Sequence, residues 1–240
     1  PRRHPEDARR AGVTDTAPSI RAALIDLDGT LVDTLGDFTF ALNLMMADLG
    51  LDQLTPTQVQ DCIGRGSEHL IRGALGLQMP KAPQDQIDSL YPRAWERYQD
   101  HYRRHNGQNA RVYPGVAEGL GHMKQRGWAL ACVTNKPAEF ARTLLDHVGL
   151  APYFTQVTGG DSYPRKKPDS MPLLKTCELL DAAPEQTLMI GDSVYDAHAA
   201  QAAGCPLVLV TYGYHHQAPL HQLGAVQCVD RLDALAFDTL

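Results

Sequence analysis

Five short apolar runs constrain this chain more than any other feature: residues 20–25, 129–133, 155–158, 188–190 and 207–210. Runs of that length bounded by turn formers read as strands buried on both faces, and the last four alternate with helix-like segments. Such alternation demands parallel βαβ units. An open parallel sheet of this kind gathers the carboxyl ends of its strands around one crevice, so the residues that follow each run are the first place to look for chemistry.

The first run is separated from the second by a long stretch with helical punctuation. Residues 36–49 repeat apolar side chains at helical spacing and stop at Gly50. Thr55-Pro56-Thr57-Gln58 has the spacing of a capping box, with proline at the first helical position. Further helices are expected over 67–76 and 84–106, where Pro92 should start, kink or divide the second. Connections within a compact α/β core are short, so an insertion of roughly 75 residues should be a small domain of its own. The expected organisation is an α/β core, a doubly wound parallel Rossmann-like sheet built from 20–34 and 112–240, with an all-helical module over 35–111. Residues 1–19 mix arginines with acidic residues, carry too little apolar surface to pack, and are expected to form a flexible tail.

With 43% hydrophobic residues the chain can bury a proper core, and its net charge of -6 argues against tracking a nucleic-acid backbone. No apolar stretch reaches the roughly 18 residues of a membrane span. Five cysteines, scattered and without a Cys-x-x-Cys pair, fit a reducing compartment. A cytoplasmic monomer or homodimer with no nucleic-acid or membrane partner is the expectation.

Four clusters follow predicted strands: Asp26 and Asp28; Thr134 and Asn135; Lys167; and Asp192 and Asp196. Each alone has an ordinary structural explanation, because Asp, Thr and Asn cap helices and turns and lysines are usually solvated. Brought to one crevice, they are complementary. Crowded carboxylates repel and raise one another's pKa unless a cation binds them, and hard oxygen donors with few His or Cys competitors suit Mg²⁺. Gly29, next to Asp28, permits a sharp exit from the first strand.

These motifs, in this order, resemble the haloacid dehalogenase superfamily, specifically its magnesium-dependent phosphatases with a helical cap inserted after the first motif. The resemblance covers about residues 21–235. Within the superfamily, Val133-Thr134-Asn135-Lys136-Pro137, Gly159-Gly160-Asp161 leading to Lys166-Lys167-Pro168, and Thr211-Tyr212-Gly213-Tyr214 look like phosphoglycolate phosphatases. One departure is Ser170, where the family pattern often has a second proline. The resemblance implies that Asp26 is the nucleophile, forming a phosphoaspartyl intermediate, and that Asp28 is general acid and then base. It implies Mg²⁺ held by Asp26, the backbone carbonyl of Asp28, Asp192 and Asp196, the last directly or through water. It also implies that Thr134 and Lys167, with Asn135 beside them, bind the phosphoryl group of a small phosphorylated substrate.

In the helical insertion, Ile63-Gly64-Arg65-Gly66-Ser67 places two glycines around an arginine just before a helix start. Either a tight turn with a solvated arginine or an anion site fits that pattern. On the second reading, Arg65 or the backbone around Gly66 receives the carboxylate of 2-phosphoglycolate. His101 and His105 have helical spacing but lack a third ligand for zinc. His215 and His216 read as solvated, and Trp95, Tyr98 and Tyr102 as one packed helix face. The competing functions are a phosphatase for a sugar phosphate or pyrophosphate, a phosphomutase, a dehalogenase, and a non-catalytic Mg²⁺-dependent phosphate-binding regulator. Asp28 argues against the regulator, which has little use for a leaving-group acid, and the metal-ligand reading of Asp192 argues against the dehalogenase.

Overall fold

The computed structural model describes residues 19–215 and 218–240; the expectations for the 1–18 tail and for His216 lie outside them. Six parallel strands form one sheet: β1 (Ala22–Ile25), β4 (Ala129–Val133), β5 (Gln156–Thr158), β6 (Thr187–Gly191), β7 (Leu207–Val210) and β8 (Gln227–Val229). Their order across the sheet is β5-β4-β1-β6-β7-β8, so the first strand is central and is flanked by β4 and β6. In register, Ile25 lies beside Cys132 and Ile190, which brings the three central strand ends level.

The period of two along β1 divides its side chains between two cores. Ala23 and Ile25 join Val116, Leu120 and Met123 of α5 (Val116–Gln125) and Leu144 of α6 (Ala138–His147). Leu24 faces the other side, with Leu173 of α7 (Met171–Leu179) and the alanines of α8 (Val194–Ala203). Small side chains on α8 let that helix sit close to the sheet. Four cysteines are buried in these cores or the helical one and Cys228 is exposed, all of them as free thiols.

The eighth strand has no apolar run to announce it: Gln227-Cys228-Val229 is recruited by pairing with Val208–Val210 rather than by its own pattern. A second departure lies at the ends of the insertion. There β2 (Val32–Asp33) and β3 (Arg111–Val112) pair antiparallel, so Arg111, expected at the end of the all-helical stretch, is in a strand. That two-stranded ribbon ties the entry and exit of the insertion together.

Between them lie α1 (Leu35–Leu49), α2 (Pro56–Gln60), α3 (Ser67–Gln78) and α4 (Gln84–His105). Gly50 ends α1 in the left-handed region, and the Thr55–Gln58 capping box starts α2, as their residue types require. Pro92 neither starts nor divides α4. A proline removes one backbone bond, and here Ile87, Ala94, Tyr98 and Tyr102 bury on both sides of it to hold the helix in one piece. These helices share a core of Phe38, Leu42, Met45, Ile71, Leu75, Tyr98 and Tyr102, to which Phe140 and Tyr214 of the α/β part contribute. Trp95 departs from its expected face and is exposed. His101 pairs with Asp48 at 2.8 Å, His105 contacts Gln108, and His215 is half-buried rather than solvated. Among the described residues no helix is long and apolar enough to cross a membrane.

Candidate active site

The chain leaves β1 at Asp26, whose amide still donates to the Ile190 carbonyl at 2.9 Å, so the sheet itself aims this carboxylate. Three strand ends then converge on it. Lys167 Nζ lies 2.9 Å from Asp26 Oδ1, 2.7 Å from Asp196 Oδ1 and 2.7 Å from the Val133 carbonyl. Its three partners are oxygens from the ends of β1 and β4 and from the first turn of α8, and the lysine is 3% exposed. Carboxylate oxygens of Asp26, Asp192 and Asp196 all lie within 4.8 Å of one another.

Asp196 is the best satisfied of the three. Its Oδ2 accepts from Ser193 N, Ser193 Oγ and Asp192 N at 3.1, 2.7 and 3.2 Å, closing a capping box at the start of α8. Asp192 accepts from the Thr30 hydroxyl at 3.2 Å and the Tyr214 amide at 2.5 Å. Gly29 has φ +86°, and a Cβ there would collide with the Asp192 carboxylate, so only glycine lets the first motif approach this acid.

The electrostatics follow from crowding. Burial, reinforced by the charge of Asp196, raises Asp26 to about 7 despite the opposing pull of Lys167. Burial likewise holds Asp192 well above the usual carboxylate range, with Asp196 and Asp26 adding to it. Burial disfavours the Lys167 ammonium, but Asp196 and Asp26 outweigh that and push its pKa up. Three carboxylates against one ammonium leave the cluster with excess negative charge, and Asp26 Oδ1 is buried without a directed hydrogen bond. A hard divalent cation fits that unmet demand.

Asp28 stands apart from this cluster. Its Oδ1 accepts from the Thr34 hydroxyl and from Lys136 Nζ, each at 2.8 Å. Lys136, to which the sequence motifs alone assign no role, is 4% exposed, and its ammonium sits 4.2 Å from the Phe38 ring centroid and 4.9 Å from that of Tyr102. Its place in the turn just after Thr134 and Asn135 was the available signal. Thr30, Thr34 and Tyr214 also contribute: Tyr214 lies in the Thr211-Tyr212-Gly213-Tyr214 motif, whereas nothing local marks the roles of Thr30 and Thr34.

One cavity joins these groups. Asp26, Asp28, Thr134, Asn135, Lys136, Lys167, Asp192 and Asp196 form its polar floor, and Phe38, Ile63, Leu70, Tyr98, Tyr102 and Phe140 its apolar walls. Thr134 is 4% exposed there. Asn135 spends its side-chain amide on the carbonyls of Gly64 at 3.0 Å and Lys167 at 2.9 Å, bracing the loop of the helical insertion against the sheet. Gly64, Gly66 and Ser67 line the cavity, whereas Arg65 is exposed. Its guanidinium lies 5.9 Å from the Tyr195 ring centroid and lines an outer groove with Lys166 and Arg72. Ser170 directly precedes α7, and Asp169 accepts from the Met171 amide at 2.8 Å, which secures the turn without the second proline.

The chain is similar to curated proteins of this chemistry. A phosphoglycolate phosphatase of Thiobacillus denitrificans is 41% identical over 204 residues, 85% of this chain and 88% of that protein. A plasmid-borne phosphoglycolate phosphatase of Cupriavidus necator is 42% identical over 214 residues, 89% of this chain and 90% of that protein. The crystal structure of a predicted phosphoglycolate phosphatase from Haemophilus somnus superimposes with a TM-score of 0.82 at 31% identity, covering 89% of this chain and 95% of that one. Residues 23–210, from β1 through the last strand before the Tyr212–Tyr214 loop, match the family described as haloacid dehalogenase-like hydrolase, and the chain belongs to that family.

Proposed function

We propose that this chain is a Mg²⁺-dependent phosphomonoester hydrolase that converts 2-phosphoglycolate to glycolate and phosphate. The observation that carries the reading is the separation of two carboxylates two residues apart: Asp26 inside the Lys167–Asp192–Asp196 cluster, and Asp28 outside it beside Lys136. Two acids in different surroundings suit two different roles.

In this mechanism Asp26 attacks phosphorus through a carboxylate oxygen and the phosphate–ester bond breaks. Asp28 gives its proton to the departing alkoxide. In the second half-reaction Asp28 takes a proton from water, which attacks the phosphoaspartyl group and releases phosphate. Asp26, Asp192 and the backbone carbonyl of Asp28 would hold Mg²⁺, with Asp196 supporting Lys167; the ion, when bound, neutralises charge on the phosphoryl oxygens. Lys167 and the Thr134 hydroxyl orient the phosphoryl group from the opposite side. The helical module over 35–111 acts as a cap domain that excludes water and selects the leaving group. The carboxylate of the leaving glycolate pairs with Lys136, a buried cation of the cavity floor, while Arg65 of the cap stays outside in the outer groove.

The test is a panel of phosphate esters, including sugar phosphates and pyrophosphate, assayed with and without Mg²⁺. Preference for 2-phosphoglycolate that vanishes with a chelator is expected. Asp26→Asn should abolish turnover with the fold intact; ordinary activity in that variant would refute the nucleophile.

A further inference from the structure

Thr34 stands directly before α1 and is of a type that ordinarily caps a helix with its own hydroxyl, yet its side chain makes no cap bond. The hydroxyl goes instead to Asp28 Oδ1 at 2.8 Å. Two amides at this corner go to a residue 180 positions away: Tyr214 Oη accepts from Thr34 N at 2.8 Å and from Leu35 N at 3.0 Å, and Leu35 N also reaches Asp33 Oδ1 at 3.2 Å. The same phenol donates to Asp33 Oδ1 at 2.5 Å, and the Tyr214 amide donates to Asp192 Oδ2. Thr34 is fully buried and Tyr214 is 5% exposed, so water does not compete for these groups.

We propose that Tyr214 is a positioning residue for the proton donor: by anchoring the Thr34 amide with its phenol it holds the Thr34 hydroxyl on Asp28. The inference rests on the reading of Asp28 as the acid for the leaving group. Tyr214 touches neither the phosphoryl group nor the departing oxygen in this scheme; it acts through Thr34. Without the phenol, Leu35 N keeps Asp33 Oδ1 but the buried Thr34 amide loses its acceptor, and the backbone that aims the Thr34 hydroxyl is no longer pinned. A shift of that backbone takes the Thr34 hydroxyl away from Asp28. Because Tyr214 also holds Asp192 through its backbone, one residue sets the spacing between a carboxylate of the acidic cluster and the proton donor.

The experiment compares kcat for 2-phosphoglycolate, whose alkoxide leaving group needs a proton, with kcat for 4-nitrophenyl phosphate, whose phenolate does not. In Tyr214→Phe the ratio of the two should fall about tenfold, part of the hundredfold or more that general acids contribute. Thr34→Val, which leaves Tyr214 in place, should lower the ratio similarly, and Thr34→Ser should restore it. A loss in Tyr214→Phe that is equal for both substrates marks a purely structural residue and overturns the proposal, as does an unchanged ratio in Thr34→Val. Asp28→Asn separates the two levels of the argument. If it spares the ratio, the proton-donor reading itself fails; if it lowers the ratio while Tyr214→Phe does not, only the positioning role fails.

Discussion

Replacing Lys136 by methionine separates recognition of the leaving group from phosphoryl transfer. Methionine keeps most of the lysine's length and its apolar contact with Phe38 and Tyr102, but removes an ammonium whose side chain is 2% exposed. That ammonium is 2.8 Å from Asp28, and on the proposed reading the glycolate carboxylate joins it when substrate binds. A hydrogen bond to a charged group is worth about 1.5–3 kcal/mol net, which is about tenfold to a hundredfold in an equilibrium or rate constant. Asp28 also loses a partner, so kcat should fall for every substrate, and absolute rates do not isolate the effect. The informative quantity is kcat/KM for 2-phosphoglycolate divided by kcat/KM for ethyl phosphate, which has no carboxylate. Steady-state phosphate release in Lys136→Met should show that quotient reduced by about tenfold to a hundredfold. Arg65→Ala, lacking a place in the cavity, should leave the quotient within about twofold, a surface-charge effect. A Lys136→Met quotient equal to that of the wild type, or a larger drop in Arg65→Ala, would refute the assignment of the carboxylate to Lys136.

Metal binding should be linked to pH through Asp26. Its folded-state value of about 7 lies above the 3.8 of the unfolded chain, so the metal-free fold binds the extra proton and loses stability as pH rises between those values. Mg²⁺ relieves that cost, and the rise in Tm on adding it should be larger at pH 8 than at pH 5; an increment independent of pH contradicts the linkage. Gly29→Ala places a Cβ against Asp192 at φ +86°. Thermal unfolding should show a loss of more than about 1 kcal/mol together with weakened Mg²⁺ binding by calorimetry, and wild-type behaviour would show that the approach is not tight.

The parts of the fold legible in the residues were those set by local rules. Ala129–Val133 and Leu207–Val210 are strands with the bounds their apolar runs suggest, because burial on both faces leaves a continuous signature. Gly50 and the Thr55–Gln58 box mark helix ends because capping is a matter of a few adjacent residues. The β2–β3 ribbon and β8 were invisible for the converse reason: two or three residues paired with distant partners have no periodicity to read. Pro92 shows a local rule overridden, since packing on both sides of it outweighs one lost backbone bond.

In the site the division is similar. The order of Asp26, Asp28, Thr134, Lys167, Asp192 and Asp196 after successive strands already implied one crevice, because parallel strands bring their carboxyl ends together. Which cation serves which acid was decided only by tertiary structure. Lys167 bridges Asp26 and Asp196, the unassigned Lys136 takes Asp28, and Arg65 turns outward. Side-chain direction at a strand end depends on what packs against it, and that neighbour can lie 180 residues away, as Tyr214 does from Thr34. The sequence by itself determined which groups meet; contacts between distant strand-end loops, with the helical insertion closing over Lys136 and Asn135, decided how each is held.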